Sequence, residues 1–277
     1  MNQQNLSFLS SEVKSNDYYR YLCCCAAPKQ AVGGLLAIYA FNNEIAKIKD
    51  HTSEPMAALV RLTWWREAID EIYANKNPRK HQVLEAIKEL IQNTEIPRAL
   101  FDKMLDAREN DINRKTPEDI EELKKYIDAS SVDLLLASLY ALKIESNPIA
   151  REFSHYVGIA YAVVGIMRAM KWNAAKNYIL FPRNMLEKHQ LVAEDLVEGR
   201  NLIKAREIAR ELCDKAEINL RHAKAIAKDL PKEARPIYQH YIIAKHFLNN
   251  IKKNKYELFN SNLETGRVWL LIKMFVM

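Results

Sequence analysis

A long, mostly apolar helix is predicted between His155 and Pro182, and it constrains the fold more than any other stretch of the sequence. Its middle is crowded with small residues, including Gly158 and Gly165, which let a neighbouring helix or a ligand come close to the backbone. One charged residue, Arg168, precedes a polar turn and a short apolar exit that stops at Pro182. This pattern indicates the central helix of a bundle.

The composition favours an all-helical protein. Of 277 residues, 49% are hydrophobic and only 6 are Gly and 9 Pro, with long periodic segments between them. Because no internal repeat or low-complexity linker divides the chain, we predict one domain over residues 1–277, with roughly 15 flexible residues at the N-terminus.

Charge and cysteine usage narrow the function classes. The net charge of +6 fits a solvated helical surface or weak attraction to anionic lipid or phosphate, and we predict no nucleic-acid partner. Cys23, Cys24 and Cys25 are adjacent and Cys213 is remote, so they cannot share one metal and are interpreted as small buried residues. Without a signal-peptide pattern or an apolar run of about 20 residues, we expect no transmembrane helix and a cytoplasmic location, at most peripheral on the inner membrane.

Residues 165–182, GIMRAMKWNAAKNYILFP, resemble without a gap the second aspartate-rich helix of the squalene/phytoene synthase family. The family pattern is approximately NILRDVGEDARRGRIYLP, in which two aspartates four apart bind the magnesium that holds a prenyl diphosphate. Arg168 and Pro182 are kept. The two aspartate positions are Ala169 and Asn173 in this chain.

The first aspartate-rich motif is altered in the same way. LLAIYAFNNEIAKIKD resembles the family pattern LYAFCRxxDDIVD, whose two aspartate positions become Ala46 and Asp50. The segments RLTWWREAIDEIY and DAREND also resemble family motifs, so that the likeness covers about residues 17 to 275. It implies an isoprenoid synthase-type bundle around a central cavity lined by the two aspartate-rich helices.

The resemblance also shows which metal ligands this chain lacks. Carboxylates at i and i+4 share a helix face and can bind one cation, but here only Asp50 carries charge and Asn173 offers a neutral carbonyl. Lys47 and Lys171 stand beside the former metal sites, where they repel magnesium and can pair with phosphate. We therefore expect no catalytic residue and no cofactor, and name Asp50, Arg168, Lys47 and Lys171 as candidates for binding an anionic ligand.

Two roles stay open for Arg168. Its guanidinium can point into the cavity toward an anionic head group, or it can pair with Asp106 or Glu109 on a neighbouring helix.

The chain keeps the family-like helices but lacks the metal-binding aspartates. In this it resembles one branch of the family, the assembly factors of respiratory complex I, the NADH:ubiquinone oxidoreductase. The resemblance implies a non-catalytic module whose partners are respiratory subunits or other assembly proteins, with an isoprenoid lipid or prenyl diphosphate as a further candidate ligand. The members known are mitochondrial, and this chain looks like a bacterial relative because it lacks a transit peptide. One alternative is a prenyltransferase that condenses two isoprenyl diphosphates with Mg²⁺; another is a carrier or sensor of such lipids. The substitute acids for the first alternative are Glu44, Asp50, Asp106 and Asp111.

Overall fold

The computed structural model describes residues 2–51, 54–259 and 262–275, and these residues form helices and connecting turns without a β-strand. The all-α prediction is confirmed, while the assignment of one domain stays a prediction. The helices are α1 (Gln3–Asn16), α2 (Tyr18–Cys25), α3 (Lys29–His51), α4 (Pro55–Tyr73), α5 (Gln82–Asn93), α6 (Arg98–Ile112), α7 (Ile120–Ile127), α8 (Asp133–Ala141), α9 (Pro148–Ala174), α10 (Arg183–Lys188), α11 (Ala193–Val197), α12 (Leu202–Ile226), α13 (Arg235–Lys253) and α14 (Arg267–Phe275). A π-helical turn, Asp128–Val132, joins α7 to α8.

Helix α9 is the predicted central helix, and it packs against α8, α12, α13 and the π-helical turn. A β-carbon added to Gly158 would lie 2.8 Å from the Cα of Val132, so only glycine lets the π-helical turn cross α9 at this distance. The hydroxyl of Ser131 donates a hydrogen bond to the Gly158 carbonyl across the same crossing, at 2.9 Å. Gly165 differs, because a β-carbon there would meet nothing within 4 Å.

By length and composition α9 could cross a bilayer, which the sequence analysis did not expect. It is 27 residues long, with a mean hydropathy of 1.2 over its most apolar window, and 56% of that window is buried within the protein. Since its apolar side chains contact α8, α12 and α13, the helix occupies the position of a core helix.

Large aromatic side chains anchor α3 and α4 to α6. The ring of Phe41 contacts the edges of Trp65 and Phe101, with centroids 5.6 and 5.3 Å apart. Trp65 is fully buried, while Trp64 is half-buried beside it.

Residues 3–16, within the segment for which we predict flexibility, form helix α1. Leu9 and Val13 lie one turn apart on one face of α1 and are fully buried against α3 and α5. The side chain of Asn2 caps the helix by accepting a hydrogen bond from the backbone N–H of Asn5, at 2.8 Å. The cysteine interpretation also needs one correction, because Cys25 is exposed whereas Cys23, Cys24 and Cys213 are buried.

The apolar C-terminal segment is only partly core. Leu270 and Met274 of α14 are buried against α13, while Val268 and Trp269 are exposed. Residues 276 and 277 lie outside the described residues.

Candidate functional site

A cavity of about 400 Å³ opens between α3 and α9, and α1, α2, α6, α7, the π-helical turn and the segment after α9 complete its wall. All four positions that correspond to family aspartates line it: Ala46 and Asp50 from α3, and Ala169 and Asn173 from α9. Each pair is spaced i, i+4, which places both members on the same helix face. The two altered motifs therefore face one space.

The Asp50 carboxylate is already paired with a cation of the same chain. It accepts a hydrogen bond from Lys176 Nζ at 2.8 Å. Lys176 lies just beyond the end of α9, and its ammonium also stands 3.5 Å from the ring centroid of Trp172. The ion pair joins the ends of α3 and α9 at the cavity.

The predicted lysines lie in different places. Lys47 lines the cavity, where it pairs with Glu12 and lies 3.7 Å from Glu44. Lys171 is exposed and does not line the cavity, so its assignment as a ligand-binding residue is not supported. Sequence reasoning missed Lys49, which lines the cavity with its Nζ 4.9 Å from the ring centroid of Tyr178. Its position three residues after Ala46 was the available signal.

The expected partners of Arg168 are wrong. Its Nε donates to Glu264 Oε1 at 2.9 Å, and its guanidinium carbon lies 3.8 Å from the ring centroid of Phe247. Glu264 also accepts hydrogen bonds from Tyr19, at 2.8 Å, and Arg267, at 3.0 Å. Burial, followed by the hydrogen bond to Glu264, raises the pKa of Tyr19 to about 12.

Arg168 is not among the residues that line the cavity. Of the two acids considered for it, Asp106 pairs with Arg66 at 2.9 Å, and Glu109 is exposed. The guanidinium therefore fastens α9 to the segment before α14.

A buried ion pair shapes the wall of the cavity on the α6 side. Arg108 donates to Asp111 at 2.7 Å and to the side-chain oxygen of Asn42 at 3.0 Å. Asp111 Oδ1 also accepts from the hydroxyls of Tyr126, at 2.9 Å, and Tyr178, at 2.7 Å. Burial acts to raise the pKa of Asp111, but the charges of Arg108 and Lys49 and the hydrogen bonds from Arg108 and Tyr178 outweigh it and lower that pKa. Burial and the Asp111 charge raise the pKa of Tyr178.

The residues present do not fit a magnesium cluster. Of the four substitute acids, Asp50 and Asp111 are paired as described, Asp106 is on the surface, and Glu44 lies 3.9 Å from Arg61 as well as near Lys47. Among residues 2–51, 54–259 and 262–275, no three His, Cys, Asp or Glu side chains come together in a way that could hold a metal ion. Magnesium prefers carboxylate and phosphate oxygens in near-octahedral geometry, which this wall does not supply.

An all-helical bundle whose cavity lies between two helices with altered aspartate motifs is an isoprenoid synthase-type protein. The family model described as squalene/phytoene synthase matches residues 13–270, so the chain belongs to the squalene/phytoene synthase family.

Known proteins resemble the chain in both sequence and fold. It is 25% identical over 264 residues to "NADH dehydrogenase (ubiquinone) complex I, assembly factor 6" of Bos taurus, covering 95% of this chain and 79% of that protein. It is 22% identical over 232 residues to "Phytoene synthase 3, chloroplastic" of Zea mays, covering 80% of this chain and 53% of that protein. The crystal structure of a dehydrosqualene synthase superposes with a TM-score of 0.82 at 18% identity, covering 98% of this chain and 95% of that one. The structural likeness establishes the isoprenoid synthase fold.

Proposed function

We propose that this chain is a non-catalytic member of its family that assists the assembly of respiratory complex I. One observation of the site carries the first part: the single carboxylate left at the four motif positions, Asp50, is held by Lys176 of the same chain. A cluster of magnesium ions needs several free carboxylates to neutralise a diphosphate leaving group. Here an ammonium group occupies the one that remains.

The second part rests on the relatives. The cattle protein that matches 95% of this chain is named as a complex I assembly factor. Its partners would be subunits of the respiratory complex or other assembly proteins, and its place of action the surface of the respiratory membrane. The exposed Val268 and Trp269 on α14, beside Arg267 and Lys273, offer an apolar and cationic surface for such contacts.

The test is deletion of the gene in the source organism, followed by native gel analysis of complex I and assay of NADH:ubiquinone oxidoreductase activity. We expect loss of the assembled complex and its recovery on re-expression of the wild-type chain. Recovery by an Asp50→Asn variant would separate assembly from metal chemistry, because this variant removes the last motif carboxylate. Normal complex I levels in the deletion strain would contradict the proposal.

Prenyl transfer is the second candidate, supported by the similarity to phytoene synthases. Incubation of the purified protein with farnesyl or geranylgeranyl diphosphate and magnesium distinguishes the two. Release of pyrophosphate with formation of a condensed hydrocarbon would favour the enzyme. We expect neither product.

A further inference from the structure

Helix α14 exposes apolar side chains on the face where a surface helix is normally polar. Leu270 and Met274 are buried on the side that packs against α13, and the opposite face carries Val268, Ile272 and Phe275 at i, i+4 and i+7. Val268 is 73% exposed and Phe275 is 40% exposed, with Ile272 half-buried between them. This apolar face is therefore open to solvent in the described part of the chain.

The flanks of the apolar face carry an aromatic ring and two cations. Trp269 is 51% exposed, and the ammonium of Lys273, one turn later, lies 5.6 Å from its ring centroid. Arg267 begins the helix and is exposed. Tryptophan beside basic residues, at the edges of an apolar helix face, is typical of helices that lie in the interface of a bilayer.

Helix α14 is held along α13, so its apolar face is already formed. Before its start, the backbone carbonyl of Thr265 lies 3.0 Å from His246 Nε2 and accepts a hydrogen bond from Asn250 Nδ2 at 2.9 Å. At its end, the side chain of Gln239 donates to the Met274 carbonyl at 2.9 Å. Because both ends of the helix are fixed, docking of this face costs less conformational entropy than it would for an unfolded segment.

The helix pair α13 and α14 contains no Asp or Glu. Its basic residues are Arg235, Lys245, Lys252, Lys253, Arg267 and Lys273. Two of them pair with carboxylates of other segments, Lys252 with Glu217 and Arg267 with Glu264. Glu264 also accepts a hydrogen bond from Arg168, so its charge is neutralised. Within the described part of the chain, no carboxylate lies within 4.0 Å of the other four cations, so this side of the protein carries uncompensated positive charge.

Two of the unpaired cations lie at opposite ends of α14. Arg235 is exposed and precedes Gln239 by one turn of α13, and Gln239 binds the end of α14. Lys253 is exposed and follows Asn250 by three residues, and Asn250 binds the segment before α14. With Lys273 on the flank, positive charge surrounds the apolar face.

We propose that α14 docks this protein directly on an anionic lipid bilayer. Val268, Ile272 and Phe275 enter the headgroup region, and the surrounding Lys and Arg side chains contact lipid phosphates. Binding of such a helix scales with buried apolar area plus attraction to anionic lipid, and this surface offers both. A bilayer is favoured over a protein partner because the centre of the face offers no hydrogen-bonding side chain, whereas specific protein interfaces form several hydrogen bonds. The inference deepens the proposed assembly function, on which it rests, by naming the partner of this surface.

The test is flotation of the purified full chain with lipid vesicles. One set is phosphatidylcholine alone, and the other is phosphatidylcholine mixed with about one third phosphatidylglycerol. We expect the chain to bind the mixed vesicles at least about ten-fold more tightly than the neutral ones, because each basic residue near an anionic surface adds to the attraction. Binding to the mixed vesicles should weaken as salt is added.

Substitutions on and away from α14 test the placement of the contact. Val268→Asp puts a charge at the centre of the apolar face, and we expect affinity for the mixed vesicles to fall about 10- to 100-fold. Lys273→Gln removes one cation and should lower that affinity about five-fold. Val60→Asp is the matched control, at a 65% exposed valine of α4, which packs against α3, α5 and α6, and it should bind as wild type. Thermal unfolding of each variant establishes that it is folded.

Fluorescence locates the inserted residue. Vesicles with brominated acyl chains should quench the emission of Trp269, and Trp269→Phe should lose this quenching while still floating with the vesicles. Trp172→Phe is the matched control, because Trp172 is 49% exposed but lies at the cavity, and this variant should keep the quenching.

Three outcomes would overturn the proposal. They are no flotation with the mixed vesicles, equal binding to the two kinds of vesicle, and equal effects of Val268→Asp and Val60→Asp. If the wild-type chain binds no vesicle and Val268→Asp still fails to restore complex I, the face contacts a protein and the lipid proposal is wrong. The deletion experiment is independent of these assays, since normal complex I in the deletion strain would refute the assembly function and leave measured vesicle binding standing.

Discussion

The buried carboxylate Asp111 is a test of how the cavity wall is stabilised. It is 1% exposed and accepts hydrogen bonds from Arg108, Tyr126 and Tyr178. Asp111→Asn keeps the size of the side chain and a carbonyl for the tyrosines, but leaves the buried Arg108 guanidinium without its counter-charge. Removing one partner of a buried pair costs about 3 to 5 kcal/mol. For a chain of this size that corresponds to a fall in the unfolding midpoint of about 10 °C.

The same helix supplies a matched control. Asp106 lies five residues earlier on α6, is 63% exposed in its side chain, and pairs with Arg66 at 2.9 Å. Asp106→Asn makes the same chemical change at the surface, where an ion pair contributes about 0 to 1 kcal/mol. Urea unfolding followed by circular dichroism gives both free energies, provided that the denaturant dependence is unchanged. Equal losses for the two variants would refute the reasoning.

The pH dependence gives a second check on Asp111. Because its pKa is lowered in the folded protein, its contribution to the free energy of unfolding is present above the pKa of the unfolded chain, near 4. It is lost as the pH falls through the lower folded pKa. The difference between wild type and Asp111→Asn should therefore be constant from about pH 5 to 8. A difference that already shrinks near pH 6 would contradict this assignment.

Three further predictions concern other parts of the bundle. Gly158→Ala should lower the free energy of unfolding by about 1 to 3 kcal/mol, because its new β-carbon would lie 2.8 Å from the π-helical turn. Gly165→Ala faces open space and should raise the free energy of unfolding by up to about 1 kcal/mol. Equal effects of the two substitutions would be inconsistent with these environments. Burial lowers the pKa of His240 to about 3, so the free energy of unfolding should fall by about 1.4 kcal/mol per pH unit as the pH drops below 6.5. In denaturation experiments, the free energy of unfolding of His240→Asn should depend less steeply on pH. An unchanged slope would rule out His240 as the cause. Millimolar magnesium should move the thermal midpoint by less than about 1 °C, since Asp50 is already paired with Lys176. A rise of several degrees would contradict the proposal that the cavity holds no magnesium.

The sequence predicted well whatever depends on local pattern and motif order. The small residues of α9 indicated the helix that packs at the centre. The ungapped motifs placed Ala46, Asp50 and Asn173 around one cavity, because i, i+4 spacing fixes a helix face without tertiary information.

Pairings between distant segments could not be read in the same way. Arg168 and Glu264 are 96 residues apart, and Asp50 and Lys176 are 126 apart. The sequence offers several oppositely charged residues as partners for each of these groups, and only the packing of the helices determines which one it contacts. Helix α1 was missed for a different reason: its polar composition resembles that of a flexible terminus, and only the spacing of Leu9 and Val13 indicated a buried face.

The ion pair between Asp50 and Lys176 has a consequence for how the bundle responds to its surroundings. A contact between two helices that depends on bound metal ions forms or breaks with the metal concentration and is removed by chelators. An ammonium group carried on the chain is present at a fixed effective concentration, set by the short tether between it and α9. The ends of α3 and α9 are therefore expected to stay joined in magnesium-starved cells, and to respond to ionic strength instead.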